Sequence, residues 1–255
     1  TQSMEAIRTT ELGFNVRWAP NADYFQGKIN RYPIYNKHPI FQFSYHGAAK
    51  GIFGSDYSYH KLRFGLFKRF YLSIFGYTNM ELELGKIYGK GLPYTLLHIP
   101  RANQTLLYQI RAFNMMNFIE FASDEYVKLN FRHYFNGFIF NRIPLFKKLK
   151  LREVVTFKSI YGGLTTGNNP NINPNLIQFT NQVDENGELV LDANDNPIPE
   201  TFTLSDRPYM EGSIGVSNIF KVLRVDLVKR FTYLNNPNLP SMFGVTGLGI
   251  RARIY

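Results

Sequence analysis

The feature that most constrains this chain is a two-residue period in hydropathy whose polar phase carries full charges. Leu12, Phe14, Val16 and Trp18 alternate with Gly13, Asn15 and Arg17. Phe41, Phe43 and Tyr45 alternate with Gln42, Ser44 and His46, and Leu62, Phe64 and Leu66 with Lys61, Arg63 and Gly65. Leu82 and Leu84 alternate with Glu81, Glu83 and Gly85. The pattern returns over 127–132, 149–158, 213–217, 223–227 and 247–254. Successive side chains of a strand point to opposite faces, so each stretch describes a ribbon with one apolar and one polar face. About nine such segments predict an all-β, antiparallel chain.

Alternation alone admits two architectures. In a soluble sandwich or soluble barrel the polar face meets bulk water; in a transmembrane β-barrel it meets a wet lumen. Phe, Tyr and Trp make up 16% of the residues while mean hydropathy is only -0.23. No run of about 18 apolar residues occurs, which excludes a spanning helix. Lipid cannot hydrogen-bond exposed backbone, so strands that cross a membrane must close into a barrel. Aromatics gather near the segment ends, at Tyr57, Tyr59, Phe67, Phe70, Tyr71, Tyr134, Phe135, Tyr161, Tyr209, Phe231 and Tyr233. Such positions suit aromatic girdles at the two membrane interfaces. Connections also alternate in length, short at 218–222 and long at 162–207, like periplasmic turns and extracellular loops.

The sequence therefore predicts an antiparallel transmembrane β-barrel in the cell outer membrane, with 1–255 forming part of one barrel domain. Counting strand directions back from the end places 136–148 as a periplasmic turn and 162–207 as an extracellular loop. The segment 89–122 becomes a second extracellular connection, too apolar to be freely solvated and expected to fold into the barrel. Bacterial single-chain barrels have even strand numbers, and the sequence opens without a signal peptide. Both lead to the expectation that further strands precede Thr1.

The net charge of +10 would raise a nucleic-acid partner on a soluble domain. Here the basic residues are spread through alternating segments, and nucleic acid is not expected. Lys61, Arg63, Lys128, Arg132, Arg152, Arg251 and Arg253 fall on the polar phase and are predicted to line the lumen. Cysteine is absent, which removes disulfides and thiolate metal sites. The histidines at 38, 46, 60, 98 and 133 lack metal or protease spacing, and no Gly-x-Ser-x-Gly elbow occurs. A scattered site at Ser44, His46 and Asp56 is the only catalytic alternative. Asp184-Glu185-Asn186-Gly187 reads as a hairpin turn. Asp192, Asn194, Asp195 and Asn196 lack the closing Glu of an EF-hand, so no metal, cofactor or catalytic residue is assigned.

Two segments carry a resemblance. One is Lys90-Gly91-Leu92-Pro93-Tyr94-Thr95-Leu96-Leu97, followed by Ser123-Asp124-Glu125-Tyr126 and by 137–153, Gly-Phe-Ile-Phe-Asn-Arg-Ile-Pro-Leu-Phe-Lys-Lys-Leu-Lys-Leu-Arg-Glu. The other is the terminal Gly247-Leu248-Gly249-Ile250-Arg251-Ala252-Arg253-Ile254-Tyr255. The order from about Pro39 to Tyr255 resembles the C-terminal barrel region of a Gram-negative outer-membrane family of unknown function. Its full-length members carry an N-terminal carboxypeptidase-regulatory-like domain, and it is similar to the surface-antigen and barrel-assembly insertase superfamily. The resemblance implies a sixteen-stranded barrel, of which this chain holds the C-terminal nine or so strands. It also implies that the loop between the eleventh and twelfth strands folds into the lumen with an arginine-bearing tip. Here that loop is 89–122, with Gly91, Leu92, Pro93, Tyr94, Arg101 and Arg111. The Val-Arg-Gly-aromatic tip is missing, and Arg101 and Arg111 are the arginines available in its place. Gly249, Ile250, Ala252, Ile254 and Tyr255 resemble the terminal signal read by the barrel-assembly machinery, where an exposed edge pairs through its backbone.

The expected function is an outer-membrane barrel that assists assembly or export of envelope proteins through a lateral seam and an infolded loop. Its expected partners are outer-membrane lipid and lipopolysaccharide, the assembly machinery and an envelope protein. The alternatives are a surface receptor or scaffold acting through 162–207, and a barrel enzyme.

Overall fold

A computed structural model describes residues 6–34, 38–184, 187–191, 194–204 and 207–254. Tyr255, Glu185, Asn186 and Asp192, named above, lie outside the described residues. Nine strands form one sheet: β1 (Leu12–Trp18), β2 (Ile40–Ala48), β3 (Tyr59–Tyr71), β4 (Tyr77–Tyr88), β5 (Glu125–Tyr134), β6 (Arg152–Gly163), β7 (Tyr209–Ile219), β8 (Leu223–Arg230) and β9 (Leu248–Ile254). Each pairs antiparallel with its neighbour in sequence, giving a meander with β1 and β9 at its edges. All nine alternating segments of the sequence are strands of this sheet. Among the described residues the one α-helix, α1 (Pro144–Lys148), is short, and no helix is long and apolar enough to cross a membrane.

Register keeps the two phases apart. Arg63 stands opposite Ser44, Glu83 opposite Lys128, Thr156 opposite Ser213 and Asp226 opposite Arg251. A slip of one residue would move every charge to the other face. On the polar face of β5 to β8 charge is buried: Arg132, Lys158, Glu211, Arg224, Asp226 and Arg230 are all shielded, Arg224 and Asp226 completely, whereas Arg17 on β1 and Arg63 on β3 are exposed. On the apolar face Leu12 is 82% exposed and Ile214 70%, with Phe14, Trp18, Leu84, Val127 and Phe131 also exposed. Among the described residues no second layer covers these side chains, which reverses the usual arrangement of a protein in water.

The turns account for most departures from the sequence expectation. The 136–148 turn contains a 3-10 turn at Phe140–Arg142 and then α1, which Pro144 opens where no N–H is needed. Lys150 is left-handed at φ 55, so β6 begins at Arg152 rather than at Leu149. Glu153 closes this turn by accepting the N–H groups of Ile139 and Phe140. Gly76, between β3 and β4, has φ 88, and a Cβ there would lie 1.9 Å from the carbonyl oxygen of Tyr134. Only glycine fits that approach.

The aromatics of the expected girdles do not share one environment: Tyr57, Phe67, Tyr134 and Phe135 are half-buried. Phe70, Tyr71, Tyr161 and Phe231 are exposed, whereas Tyr59, Tyr209 and Tyr233 are buried. Each buried hydroxyl has an acceptor: Glu11 at 2.5 Å, Glu211 at 3.1 Å and the carbonyl of Arg207 at 2.5 Å. A tyrosine with such a partner can leave the interface at little cost.

The buried pair on β8 sets the first expected outcome. Arg224 donates from Nε and Nη2 to Asp226, both at 2.6 Å, and Ser213 donates to the same carboxylate at 3.0 Å. Asp226→Ala leaves a buried guanidinium without its counter-charge and should lower stability by about 3–5 kcal/mol. The double variant Arg224→Met with Asp226→Leu should lose much less. Denaturant titration of the purified variants reads the difference, and equal losses would show that the charge is not sealed from water.

Candidate functional site

The connection between β4 and β5 runs from Gly89 to Asp124 and lies across the polar face. Its two ends are fastened to the segment after β6. Asn168 accepts the N–H of Leu92 at 3.1 Å and donates to the carbonyl of Gly89 and to Asp124, both at 3.0 Å. Thr165 Oγ1 donates to Asp124 at 2.5 Å. Leu92, Tyr94, Leu97 and Ala122 pack with Ala48, Tyr59, Ile87 and Phe179. Pro93, extended at φ -62, precedes the 3-10 turn at Tyr94–Leu96. Farther along, Phe113, Met116 and Phe121 pack with Tyr126, Ile160, Leu204, Tyr209 and Tyr233. The stretch Pro93–Ala122 is thus anchored by its own apolar side chains, which is why it is too hydrophobic for a solvated loop.

Charged side chains of the strands then satisfy the backbone of the loop. Glu211 accepts the N–H of Asn114 at 2.8 Å and of Met115 at 3.0 Å. Lys158, 3.5 Å from Glu211, donates to the carbonyls of Gln109 at 2.9 Å and Ala112 at 2.6 Å. Arg230 donates to Glu120 at 2.6 and 3.0 Å and to the carbonyl of Met115 at 3.2 Å. Arg251 donates to the carbonyl of Asn114 at 3.0 Å, Asn130 to that of Ile110 at 3.0 Å, and Tyr108 meets Thr156 at 3.0 Å. At its far end the loop reaches the edge of the sheet. The N–H of Ala252 donates to Leu106 at 3.0 Å, and the N–H of Tyr108 donates to Ala252 at 2.6 Å. Leu106–Tyr108 therefore lies as a short parallel strand along β9.

The residues singled out in the sequence are distributed as follows. Lys61 pairs with Glu11 at 2.9 Å, Lys128 with Glu83 at 3.1 Å and Arg132 with Glu81 at 2.5 Å. Arg63 donates to Ser44 at 3.2 Å and Arg152 to Asn141 at 2.9 Å, while Arg253 stands opposite Arg224. Gly91, Leu92, Pro93 and Tyr94 form the entrance of the loop. Arg101 and Arg111 are exposed and make no ion pair among the described residues. The loop's ion pair runs the other way, from Arg230 on the strand to Glu120 in the loop. Ser44 bonds Asn15 and Arg63, His46 lies 3.6 Å from Glu11, and Asp56 accepts the N–H of Arg8. Gly249, Ile250, Ala252 and Ile254 form the edge strand. Glu211, Lys158, Arg230 and Glu120 were not picked out from sequence. For the three strand residues the one legible signal is a charge on the polar phase, which many solvated strand residues share, and Glu120 is a lone acid in an apolar loop.

Comparison with known proteins assigns the chain at this point. Residues 1–169 match the C-terminal domain of a family of unknown function, DUF5686. The chain belongs to that family. The matched span holds β1 to β6 and the whole infolded loop. No curated protein matches. A solved structure, BamA from Haemophilus ducreyi lacking POTRA domains 1–3, is similar over 96% of this chain at 9% identity and a TM-score of 0.46. The chain spans 42% of that one.

His98 offers a direct probe of the loop. Its N–H donates to Ser123 at 2.9 Å and its carbonyl accepts from Ser123 at 3.1 Å. Its ring stacks on Tyr126 at 3.5 Å, and Nε2 is sealed from solvent without a partner. Burial pushes its pKa down to about 3, the Lys128 charge adding to the effect and Glu83 opposing it. The folded imidazole stays neutral where the unfolded one takes up a proton near 6.5. Its contribution is therefore intact above about pH 6.5 and is lost as pH falls toward 3, at up to ~1.4 kcal/mol per pH unit. His98→Gln should flatten this part of the pH–stability profile, measured by denaturant titration from pH 7.5 to 4. An unchanged slope would mean that the ring titrates freely.

Proposed function

We propose that this domain is the C-terminal part of a transmembrane β-barrel of a Gram-negative outer membrane, closed by strands outside this chain to a sixteen-stranded wall. The observation that carries this reading is the inverted sheet, apolar and uncovered on one face, charged and buried on the other. Lipid would satisfy the first face and a loop-filled lumen the second. The open edges of β1 and β9 leave backbone groups that a closed barrel would pair. Outer-membrane lipid and lipopolysaccharide are the surroundings of such a wall, and β9, from Gly249 onward, would be the strand handed to the assembly machinery.

Within that barrel we read the 89–124 loop as an internal plug that also controls the seam. Leu106–Tyr108 takes up hydrogen-bonding groups of Ala252 that a neighbouring strand would otherwise use. Release of this segment would expose the edge of β9 to an envelope protein in transit, so assembly or export is the activity favoured. Full-length protein reconstituted in liposomes should then speed the folding of a client barrel, followed by its heat-modifiable gel mobility. Tyr108→Pro, which deletes one of the two edge hydrogen bonds together with the buried ring that meets Thr156, should change that rate severalfold, and Tyr108→Phe, which keeps the edge hydrogen bond, should not. No acceleration by the wild type would remove the assembly role. Recovery of the full-length protein as a monomer without detergent would remove the barrel.

A receptor or scaffold role is the second reading, favoured by the hairpin within 164–208. There the backbones of Gln182, Val190 and Ile198 are hydrogen-bonded in a ladder, while Val183, Leu189 and Leu191 are exposed. Deleting 181–199 should abolish partner capture and leave the barrel's heat-modifiability intact; retained capture would remove this role.

A further inference from the structure

The end of the sheet that holds the tight turns carries a second cluster, unrelated to the infolded loop. Arg152 on β6 stands opposite Ser217 on β7. The register between β7 and β8 shifts beside Arg224, so Ser217 and Asn218 both face that one residue. Arg253 on β9 stands opposite Arg224. Cationic side chains thus sit at one level across neighbouring strands, an arrangement that repels itself. Lys221, in the turn between β7 and β8, adds a further cation.

These residues surround a cavity of about 350 Å³, toward the small end of the roughly 300–1,000 Å³ usual for small-molecule sites. Tyr77 and Tyr134, stacked at 4.9 Å, form one wall, and Arg152, Ser217, Asn218 and Lys221 form the other. The Arg224 guanidinium lies 6.0 Å from the Tyr134 ring. Its Nη1 has no hydrogen-bond partner although the residue is fully buried. A buried guanidinium donor is seldom left unmet without a reason.

The neighbouring acids are already engaged. Asp226 is engaged by Arg224 and Ser213. Glu153 faces the 136–148 turn and accepts from its backbone. Arg152 reaches only neutral oxygens, of Asn141 at 2.9 Å and Leu151 at 3.1 Å. Among the described residues neither Arg152 nor Lys221 has a carboxylate partner. Elsewhere on the polar face Lys61, Lys128, Arg132, Lys158 and Arg230 each meet an acid. The Ser217 hydroxyl and the Asn218 amide already donate to the carbonyls of Arg152 at 3.2 Å and Lys150 at 2.7 Å, which leaves an Arg fork beside a Lys point charge as the donor pair that suits a phosphoryl group.

We propose that this cavity binds a phosphoryl oxyanion through Arg152 and Lys221, with Ser217 and Asn218 in the same wall. The same chemistry could arrive as a phosphorylated solute or as the headgroup of an anionic phospholipid. The site belongs to this chain alone and does not depend on how the sheet closes.

The test uses delipidated full-length protein in detergent. Inorganic phosphate is titrated and followed by calorimetry and by 31P line broadening, and short-chain phosphatidylglycerol is titrated in parallel. The paired substitution Arg152→Gln with Lys221→Gln should weaken saturable binding by at least about tenfold, as expected when charge-assisted contacts are lost. Arg152→Lys, which keeps charge and loses the fork, should fall between. Lys61→Gln, on β3 and outside the cavity, should leave binding unchanged and serves as the folded control. Saturable binding of phosphate assigns a soluble source, and binding of the lipid alone assigns the headgroup. Absence of saturable binding to either probe, or equal binding by the paired variant, overturns the proposal. Neither result bears on whether the protein spans a membrane, which detergent dependence reads separately.

Discussion

Glu211 accepts two successive backbone N–H groups of the infolded loop, and almost everything else on the polar face follows from having to bury that carboxylate. Removed from water, it needs hydrogen bonds and an opposite charge. Asn114 and Met115 supply the first, Tyr209 adds another, and Lys158 at 3.5 Å supplies the second. Lys158 is in turn buried and is satisfied by loop carbonyls at Gln109 and Ala112. The loop backbone and the strand charges therefore complete one another. A loop without regular structure can lie in the interior only if such partners exist for its N–H and C=O groups. Arg230, Arg251 and Asn130 extend the same logic along the rest of its path.

This dependence explains why the loop and the sheet belong to one structural unit. Without the loop, Lys158, Glu211 and Arg230 would face an open, wet surface and cost little. With the loop in place they are dehydrated, and each then relies on geometry held by β6, β7 and β8 together. The edge contact at Ala252 is the weak link of that assembly. It rests on backbone hydrogen bonds beside Leu106 and Leu107, both exposed, and lacks the apolar cover that seals the Phe113–Met116 region. Local opening is expected to start where few buried contacts guard the hydrogen bonds.

The strands were legible from sequence because a two-residue period is a local property of the chain. Leu12–Trp18 and Leu248–Ile254 can each be read without reference to any other segment. The beginning of β6 was misplaced because Leu149 and Leu151 continue the alternation in letters, while Pro144 and the left-handed Lys150 turn the backbone out of it. Tyr59, Tyr209 and Tyr233 stand near strand ends as girdle residues do, but acceptors draw them inward, distant in sequence for Tyr59 and Tyr233 and two residues on for Tyr209. Arg101 and Arg111 drew notice as arginines inside an apolar loop, yet the guanidinium that matters there, Arg230, comes from the strand below. The pairing of Arg230 with Glu120 joins residues 110 positions apart, a relation no local pattern announces.

By itself the sequence determined the all-β class, the number and phase of the strands, the two long connections and the apolar character of the 89–122 segment. Each follows from side-chain period and local composition, which neighbouring residues along the chain already specify. Only the tertiary structure decided which charges are buried, which strand groups fasten the loop, that Leu106–Tyr108 runs along β9, and that Arg152 and Lys221 share a cavity without an acid. Those facts depend on register and on where the loop lands, set by contacts between residues tens of positions apart. The charged polar phase seen first in the letters is thus the inner lining of a filled sheet, because a hydrophobic loop came to rest upon it.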